Sequence, residues 1–242
     1  MDFFLKFDPL CARSGGALAA PRPAGSQHLV FKKQVGPALQ WIHQLACGHP
    51  SGLTRIVHAP SMNFLGMTVI SDASPWGGGA LMWRTFQDYA DNKPAAEFLN
   101  VQWTRDHELM IDGAVGSPDH QASWEALAFG IAIKTWVNGC VRGKVTIVGD
   151  AQGVISNLIA MRSRATAIND IIKEVALHLA PLGLDLMGLH LWAEQNTQAD
   201  ELSRLTTKSE VPAWIHASTS RATAAMISPQ RWRETDTETD VM

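Results

Sequence analysis

The sequence has few cysteines, no long apolar run and no overall basic charge, and each absence excludes a class of protein. Its three cysteines, Cys11, Cys47 and Cys140, form neither a CxxC pair nor a Cys/His ligand spacing, which argues against a disulfide framework or a zinc knuckle. No stretch approaches the roughly 18 to 20 apolar residues that cross a bilayer. The opening residues lack the features of a secretion signal. We expect an intracellular protein, cytoplasmic or nuclear, that contacts no membrane.

Positive charge is also scarce in the middle of the chain. Residues 63–207 carry ten Lys/Arg against sixteen Asp/Glu, whereas residues 1–62 carry six against two and residues 208–242 carry four against five. A free-standing nucleic-acid binder usually presents a basic face. A polyanion handled by residues 63–207 would therefore need metal ions or a second surface to offset the repulsion.

Composition divides the chain into four segments. Residues 1–27 are rich in Gly, Pro and small residues, which predicts a flexible N-terminal segment. Residues 28–62 offer one helical stretch, which is too little to fold alone. Residues 208–242 end in alternating charges and threonines, which predicts a largely disordered C-terminal tail. Residues 63–207 are left as the folded domain.

The apolar periodicity of residues 63–207 predicts an α/β domain with the element order βββαβααβα. Strands are predicted at 67–71, 79–83, 96–103, 144–149 and 183–192. Helices are predicted at 123–137, with Ser123 as a possible N-cap, and at 151–160, 166–180 and 197–205. Hairpin strands followed by alternating helices and strands imply a mixed five-stranded sheet with helices packed on its faces.

Two aspartates stand at predicted strand ends. Alternation along the first strand places Asp72 on the same face as Ile70, and Asp150 shares parity with Val148 at the end of the fourth strand. Each of them, taken alone, reads equally well as a turn residue or a helix N-cap.

Two further acids stand near predicted helix starts. Glu125 lies in a helix that is apolar almost all round, where an ionised carboxylate needs a cation or a donor facing it. The alternatives are an exposed first helical turn or a protonated acid. Asp200 falls on the first turn of the last helix, where acids are common. If all four acids converge at one sheet edge, their oxygens suit a hard cation, Mg²⁺ or Mn²⁺, and the lack of His and Cys disfavours zinc.

The chain resembles a known domain in four stretches. In order and spacing they are similar to the ribonuclease H domain that follows the polymerase in retroelement reverse transcriptases: SDASPWGGGALMW, QASWEALAFGIAIKTW, VTIVGDAQGVISNLI and HLWAEQNTQADELSRL. The resemblance covers about residues 63–207, is closest to retrotransposon forms and implies a ribonuclease H-like fold. Residues 28–62 resemble the end of a polymerase thumb or connection, which makes the polymerase domain of the parent reverse transcriptase an expected partner.

The resemblance also implies an activity, namely hydrolysis of the RNA strand of an RNA/DNA hybrid with two divalent ions, Mg²⁺ or Mn²⁺. The family's four metal-binding carboxylates match Asp72, Glu125, Asp150 and Asp200. Asp72 is the candidate for the ligand that bridges both ions. Such ions activate a water and stabilise the developing charge, so that no covalent nucleophile is needed. Four adjacent carboxylates without metal should also hold at least one proton near neutrality.

The chain departs from the family near its last strand. Trp192 and Ala193 stand where many members carry Pro-Gly, and the flexible loop with a histidine before the last helix is absent. His190 has the spacing of that histidine, but the alternation in LMGLHLW favours a strand residue.

Two other functions stay open at this point. The chain could be a non-catalytic remnant that acts as a structural or nucleic-acid-binding module, in which case its carboxylates would lie too far apart to share metals. It could also be a related polynucleotidyl transferase directed at DNA, with the same scaffold and a different substrate.

Overall fold

A computed structural model describes residues 66–138, 143–207 and 210–227, together with Leu39, Ile42 and His43. The predicted flexible segment, 1–27, lies outside the described residues. So does the predicted polymerase remnant, 28–62, apart from those three residues.

Within the described residues, six strands form one mixed sheet in the order β5-β4-β1-β2-β3-β6. β1, β2 and β3 form an antiparallel meander, while β4 and β5 continue the sheet in parallel on the other side of β1. The prediction of an α/β, ribonuclease H-like fold is confirmed, but the sheet has six strands instead of the predicted five, because β6 pairs with the edge of β3. His190 is a strand residue as expected. The strands are β1 (Met67–Ser74), β2 (Gly77–Trp83), β3 (Glu97–Gln102), β4 (Lys144–Gly149), β5 (Asp185–His190) and β6 (Ser220–Arg221).

The described residues contain the four predicted helices and two further α-helices. The two short helices after β2 and β3 were not predicted, because five and seven residues are too few for a repeated apolar stripe. No helix in the described ranges combines the length and apolar content that a membrane crossing requires. The α-helices are α1 (Phe86–Ala90), α2 (Arg105–Ile111), α3 (Gln121–Trp136), α4 (Gln152–Ile159), α5 (Thr166–Leu179) and α6 (Thr197–Arg204), with 3-10 turns at Pro118–His120, Ala180–Leu182 and Ala193–Gln195.

The start of α3 differs from the prediction. The helix begins at Gln121, with His120 as its N-cap, so the assignment of Ser123 as N-cap is wrong. Ser123 is instead buried inside the first turn. The earlier start brings Gln121 into the helix, four residues before Glu125, so that the two side chains lie on adjacent turns and form a hydrogen bond.

The two faces of the sheet bury separate apolar cores. On one face Val69 packs with Phe129 of α3, and on the other face Ile70 packs with Leu202 of α6. The division follows from the alternation of side chains along a strand. As predicted, Asp72 lies on the same face as Ile70. The structure shows that α6 covers this face, and Asp72 contacts side chains of that helix and of the residue before it.

The last helix lies directly on β2 because a glycine leaves room for it. A Cβ atom on Gly79 would stand 2.4 Å from the carbonyl oxygen of Ala199 and 2.5 Å from the backbone nitrogen of Ser203. Gly79 is also the cross-strand partner of Asp72. The close approach of helix and sheet therefore fixes where α6 stands relative to that carboxylate.

Residues 210–227 pack against the domain, which corrects the prediction that residues 208–242 form a largely disordered tail. Ser220–Arg221 form β6 and pair in parallel with β3. Ile227 is buried against Gly130 of α3, and the Trp214 indole donates a hydrogen bond to Glu201 of α6. The apolar residues of this segment are irregularly spaced, so that no periodic signal marks them in the sequence. Residues after 227 lie outside the described part.

We expect Gly79→Ala to lower the free energy of unfolding by about 1–3 kcal/mol, because the added methyl overlaps backbone atoms of α6 that have no free volume to move into. Gly153→Ala is the matched control. Nothing lies within 4 Å of its Cβ position, and alanine in a helix is favoured over glycine by roughly 0.5–1 kcal/mol. Urea denaturation followed by circular dichroism measures both variants, and equal stability of the two would contradict the tight contact.

Candidate functional site

Three carboxylates meet at the carboxyl ends of β1 and β4. Asp72 lies near the end of β1, Asp150 directly follows β4, and Glu125 lies on α3, which packs on β1. One oxygen atom from each lies within 4.8 Å of the other two. The parallel pairing of Ile70 with Val148 explains the meeting, because each aspartate stands two residues beyond that pair. We call these residues the three-carboxylate cluster.

Asp200 lines the same cleft, which has a volume of about 560 Å³, but it lies outside the three-carboxylate cluster. Its side chain is 42% exposed. Arg204, one turn further along α6, donates from Nε to Oδ1 of Asp200 at 2.8 Å, and its Nη2 lies 2.7 Å from the same oxygen. The structure thus brings three of the four predicted residues together and places the fourth at the side of the cleft.

Glu125 is buried, and the side chain of Gln121 holds its carboxyl group. Nε2 of Gln121 donates to Oε1 of Glu125 at 2.8 Å and also to the carbonyl oxygen of Ala73 on β1. The other carboxyl oxygen, Oε2, is buried without a hydrogen-bond partner among the described residues. Glu125 is only 5% exposed, so the alternative of an exposed first helical turn is wrong.

Asp72 is held from the side of α6. Nδ2 of Asn196, the residue before the helix, donates to Oδ1 of Asp72 at 3.1 Å. The Ser203 hydroxyl lies 3.5 Å from Oδ2 of Asp72, although its closer acceptor is the carbonyl oxygen of Asp200 at 2.8 Å. Asn196 is itself buried, and its Nδ2 also lies 3.5 Å from the carbonyl oxygen of Ser71. These contacts restrain the carboxylate of Asp72 at a position where one of its oxygens is close to Glu125 and Asp150.

Burial and crowding raise the pKa of two of the carboxyl groups. Burial, followed by the negative charges of Asp150 and Asp200, raises the pKa of Asp72 from 3.8 to about 7, although Arg204 and Ser203 lower it. Burial, with Asp72 as the next cause, raises the pKa of Glu125 from 4.5 to about 9. Glu125 therefore holds a proton at neutral pH, in agreement with the expectation from the sequence.

The donor set of the cluster fits a hard divalent cation. All three close atoms are carboxylate oxygens, which are the ligands that Mg²⁺ and Mn²⁺ prefer. Oε2 of Glu125 is a buried ligand atom that lacks a partner, and a buried polar atom of this kind is costly unless something binds it. Metal affinity should rise with pH, because the ligands must lose their protons to bind.

Sequence reasoning missed the residues that support the carboxylates. Gln121 stands four residues before Glu125, and Arg204 stands four residues after Asp200, which is the spacing of side chains on adjacent helical turns. This spacing could have predicted both contacts, Gln121 with Glu125 and Arg204 with Asp200, from the sequence. The contacts of Asn196 and Ser203 with Asp72 join parts of the chain more than 120 residues apart, and nothing local in the sequence marks them.

No protein-family model matches the chain, and no curated protein matches it. Among solved structures the chain is similar to LC11-RNase H1, isolated from compost by a metagenomic approach. The two share 12% sequence identity and a TM-score of 0.39, over 57% of this chain and 92% of that one.

We expect the metal-free protein to lose stability as the pH rises. Asp72 and Glu125 have a higher pKa in the folded state than their ordinary values of 3.8 and 4.5, so the folded state binds more protons than the unfolded state. The stabilisation is complete below about pH 4 and is lost as the pH rises through about 7 and about 9. Urea denaturation in EDTA from about pH 5 to about pH 9 should show a fall of a few kcal/mol in the free energy of unfolding.

The matched variants separate this effect from general alkaline destabilisation. Glu125→Gln should flatten the profile because it removes the group with the largest upward shift. Glu194→Gln removes an exposed carboxylate and should leave the profile as in the parent protein. A parent profile that is flat over this range, or one that Glu125→Gln leaves unchanged, would contradict the crowded-carboxylate account.

Proposed function

We propose that this chain is a metal-dependent endonuclease that hydrolyses the RNA strand of RNA/DNA hybrids, as the ribonuclease H module of a retroelement reverse transcriptase. The observation that carries the proposal is the three-carboxylate cluster: Asp72, Glu125 and Asp150 come from two strands and a helix, yet their oxygens lie within 4.8 Å of one another. A purely structural reason for gathering three acids is hard to find, because their mutual repulsion opposes folding.

The cluster, with Asp200 beside it, would hold two divalent ions, and these supply Lewis-acid stabilisation of phosphate oxygens and a water of lowered pKa. Asp72, which interacts electrostatically with Asp150, Asp200 and Glu125, would be the residue that serves both ions. Gln121 orients Glu125 by holding Oε1, which leaves Oε2 as the ligand atom. Asn196 holds Oδ1 of Asp72 in the same way.

The assignment of the substrate rests on the resemblance in four stretches and on the openness of the site. The cleft lies at the sheet edge, is about 560 Å³ in volume and leaves the side chain of Arg204 63% exposed and that of Asp200 42% exposed, which suits a polymer strand that binds along the surface. Selectivity for RNA would come from contacts to 2′-hydroxyl groups in the shallow minor groove of the hybrid. The acidic domain would then rely on the bound cations and on the polymerase domain to hold the hybrid.

The two alternative functions have less support. A non-catalytic remnant predicts carboxylates too far apart to share metals, whereas the oxygens of three of them lie within 4.8 Å. For a DNA-directed polynucleotidyl transferase, no contact among the described residues favours duplex DNA over the hybrid.

The test is cleavage of an RNA/DNA hybrid with a labelled RNA strand by the full-length chain in Mg²⁺ or Mn²⁺. The expected products carry 5′-phosphate and 3′-hydroxyl ends, and EDTA should abolish their formation. Asp72→Asn, Glu125→Gln and Asp150→Asn should each lower the cleavage rate by a factor of about 10³ or more, since each removes a ligand of the metal site. Glu194→Gln, which removes an exposed carboxylate outside the cleft, should leave the rate unchanged.

Three results would count against the proposal. Cleavage of duplex DNA in preference to the hybrid would point to a DNA-directed transferase. Cleavage that persists in EDTA would remove the role of the metal. A folded protein that cleaves neither substrate in either metal would favour the non-catalytic module.

A further inference from the structure

Arg204 is the one cationic side chain among the described residues that line the cleft. All four predicted carboxylates line that cleft as well, so the guanidinium is surrounded by groups of opposite charge. No other described residue offers a phosphate group an attractive full charge at this place.

The ion pair with Asp200 uses only part of the guanidinium. Both close contacts, from Nε at 2.8 Å and from Nη2 at 2.7 Å, go to the same oxygen of Asp200. Arginine has five N–H donors, so donors are left for another acceptor. The side chain lines the cleft and is 63% exposed, so that a ligand in the cleft can reach the guanidinium group.

The same ion pair restrains Asp200. Asp200 stands apart from the three-carboxylate cluster, and the residue that holds it is one turn further along its own helix. An exposed ion pair between residues four apart on a helix is weak and is screened by salt. A phosphate, which a guanidinium binds with two parallel hydrogen bonds, competes well for Arg204.

We propose that Arg204 binds a phosphate of the nucleic-acid strand beside the three-carboxylate cluster, and that Asp200 is the partner it gives up when the strand enters. The released Asp200 is then free to turn toward the cluster. Because the phosphate belongs to the proposed substrate, the inference rests on the proposed function and adds a strand-positioning residue to that site.

The alternative is that the pair serves only to stabilise α6. A helix-stabilising pair and a phosphate-binding arginine differ in two measurements. Removing a phosphate contact weakens binding of the strand and lowers its dependence on salt. Removing the restraint on Asp200 strengthens metal binding, since one more carboxylate faces the cluster without a neutralising neighbour. If Arg204 only stabilised the helix, its removal would change neither the salt dependence of strand binding nor the affinity for the metal.

The test uses the full-length chain with Arg204→Gln and Arg204→Lys. Arg105→Gln is the matched control, because it breaks another exposed helical ion pair, 2.7 Å from Glu108, that does not line the cleft. Binding of a labelled RNA/DNA hybrid is followed by fluorescence anisotropy in EDTA at several salt concentrations, so that cleavage does not interfere. Mg²⁺ binding is measured by calorimetry without nucleic acid.

Arg204→Gln should weaken hybrid binding about tenfold and reduce the slope of log affinity against log salt by about one. The same variant should bind Mg²⁺ several-fold more tightly. Arg204→Lys should fall between, because lysine keeps the charge and loses the planar fork. Arg105→Gln should match the parent in both measurements.

Unchanged hybrid affinity and salt slope in folded Arg204→Gln, or in Arg204→Lys if the glutamine variant does not fold, would overturn the phosphate contact. Unchanged or weaker Mg²⁺ binding would overturn the restraint on Asp200. The two proposals also fail separately. A parent protein that binds the hybrid without cleaving it in Mg²⁺ refutes the nuclease function, while a lower hybrid affinity of Arg204→Gln still supports the phosphate contact.

Discussion

Mutual repulsion among buried carboxylates is the constraint on which the rest of the site depends. The parallel register of β1 and β4 carries Asp72 and Asp150 to the same sheet edge, and α3 adds Glu125 within 4.8 Å. Burial disfavours the charged forms of Asp72 and Glu125, and repulsion from the neighbouring carboxylates adds to this effect, so that their pKa values rise to about 7 and about 9. The cluster therefore requires protons or cations, and a divalent ion can replace the protons once it is present.

The last helix supplies the second half of the arrangement. Gly79 lets α6 lie against the sheet, and this contact brings Asn196 and Ser203 to Asp72. It also places Asp200 and Arg204 at the side of the cleft. A domain with an acidic surface thereby gains one positive charge where a phosphate strand would pass. The helix and the residue before it thus hold Asp72 in place, add the carboxylate of Asp200 and supply the positive charge of Arg204.

The sequence predicted the scaffold better than the details of the site. Alternation and helical periodicity are local properties, so the hairpin strands, the mixed sheet and the face of Asp72 followed from pattern alone. The start of α3 at Gln121 was missed, because Ser123 offered a plausible N-cap and the residues before it have no apolar stripe. Residues 210–227 were missed because their order comes from packing on α3, α6 and the edge of β3.

The position of Asp200 shows the limit of matching acids by motif. The resemblance placed it with the other three carboxylates, whereas the structure pairs it with Arg204, and that pairing depends on side-chain geometry rather than on spacing along the strands. The motif identified the acidic residues of the site, but the side chains that each acid contacts depend on how α6 packs on the sheet.

The central claim, that the cluster exchanges protons for a divalent cation, is tested most directly by calorimetric titration of Mg²⁺ into the metal-free protein near pH 7 in buffers of different ionisation enthalpy. The account predicts binding with net release of at least one proton, and a release that is smaller by about one proton in Glu125→Gln, where only the proton shared by Asp72 remains to be displaced. Absence of binding, or binding without proton release in the parent protein, would contradict it.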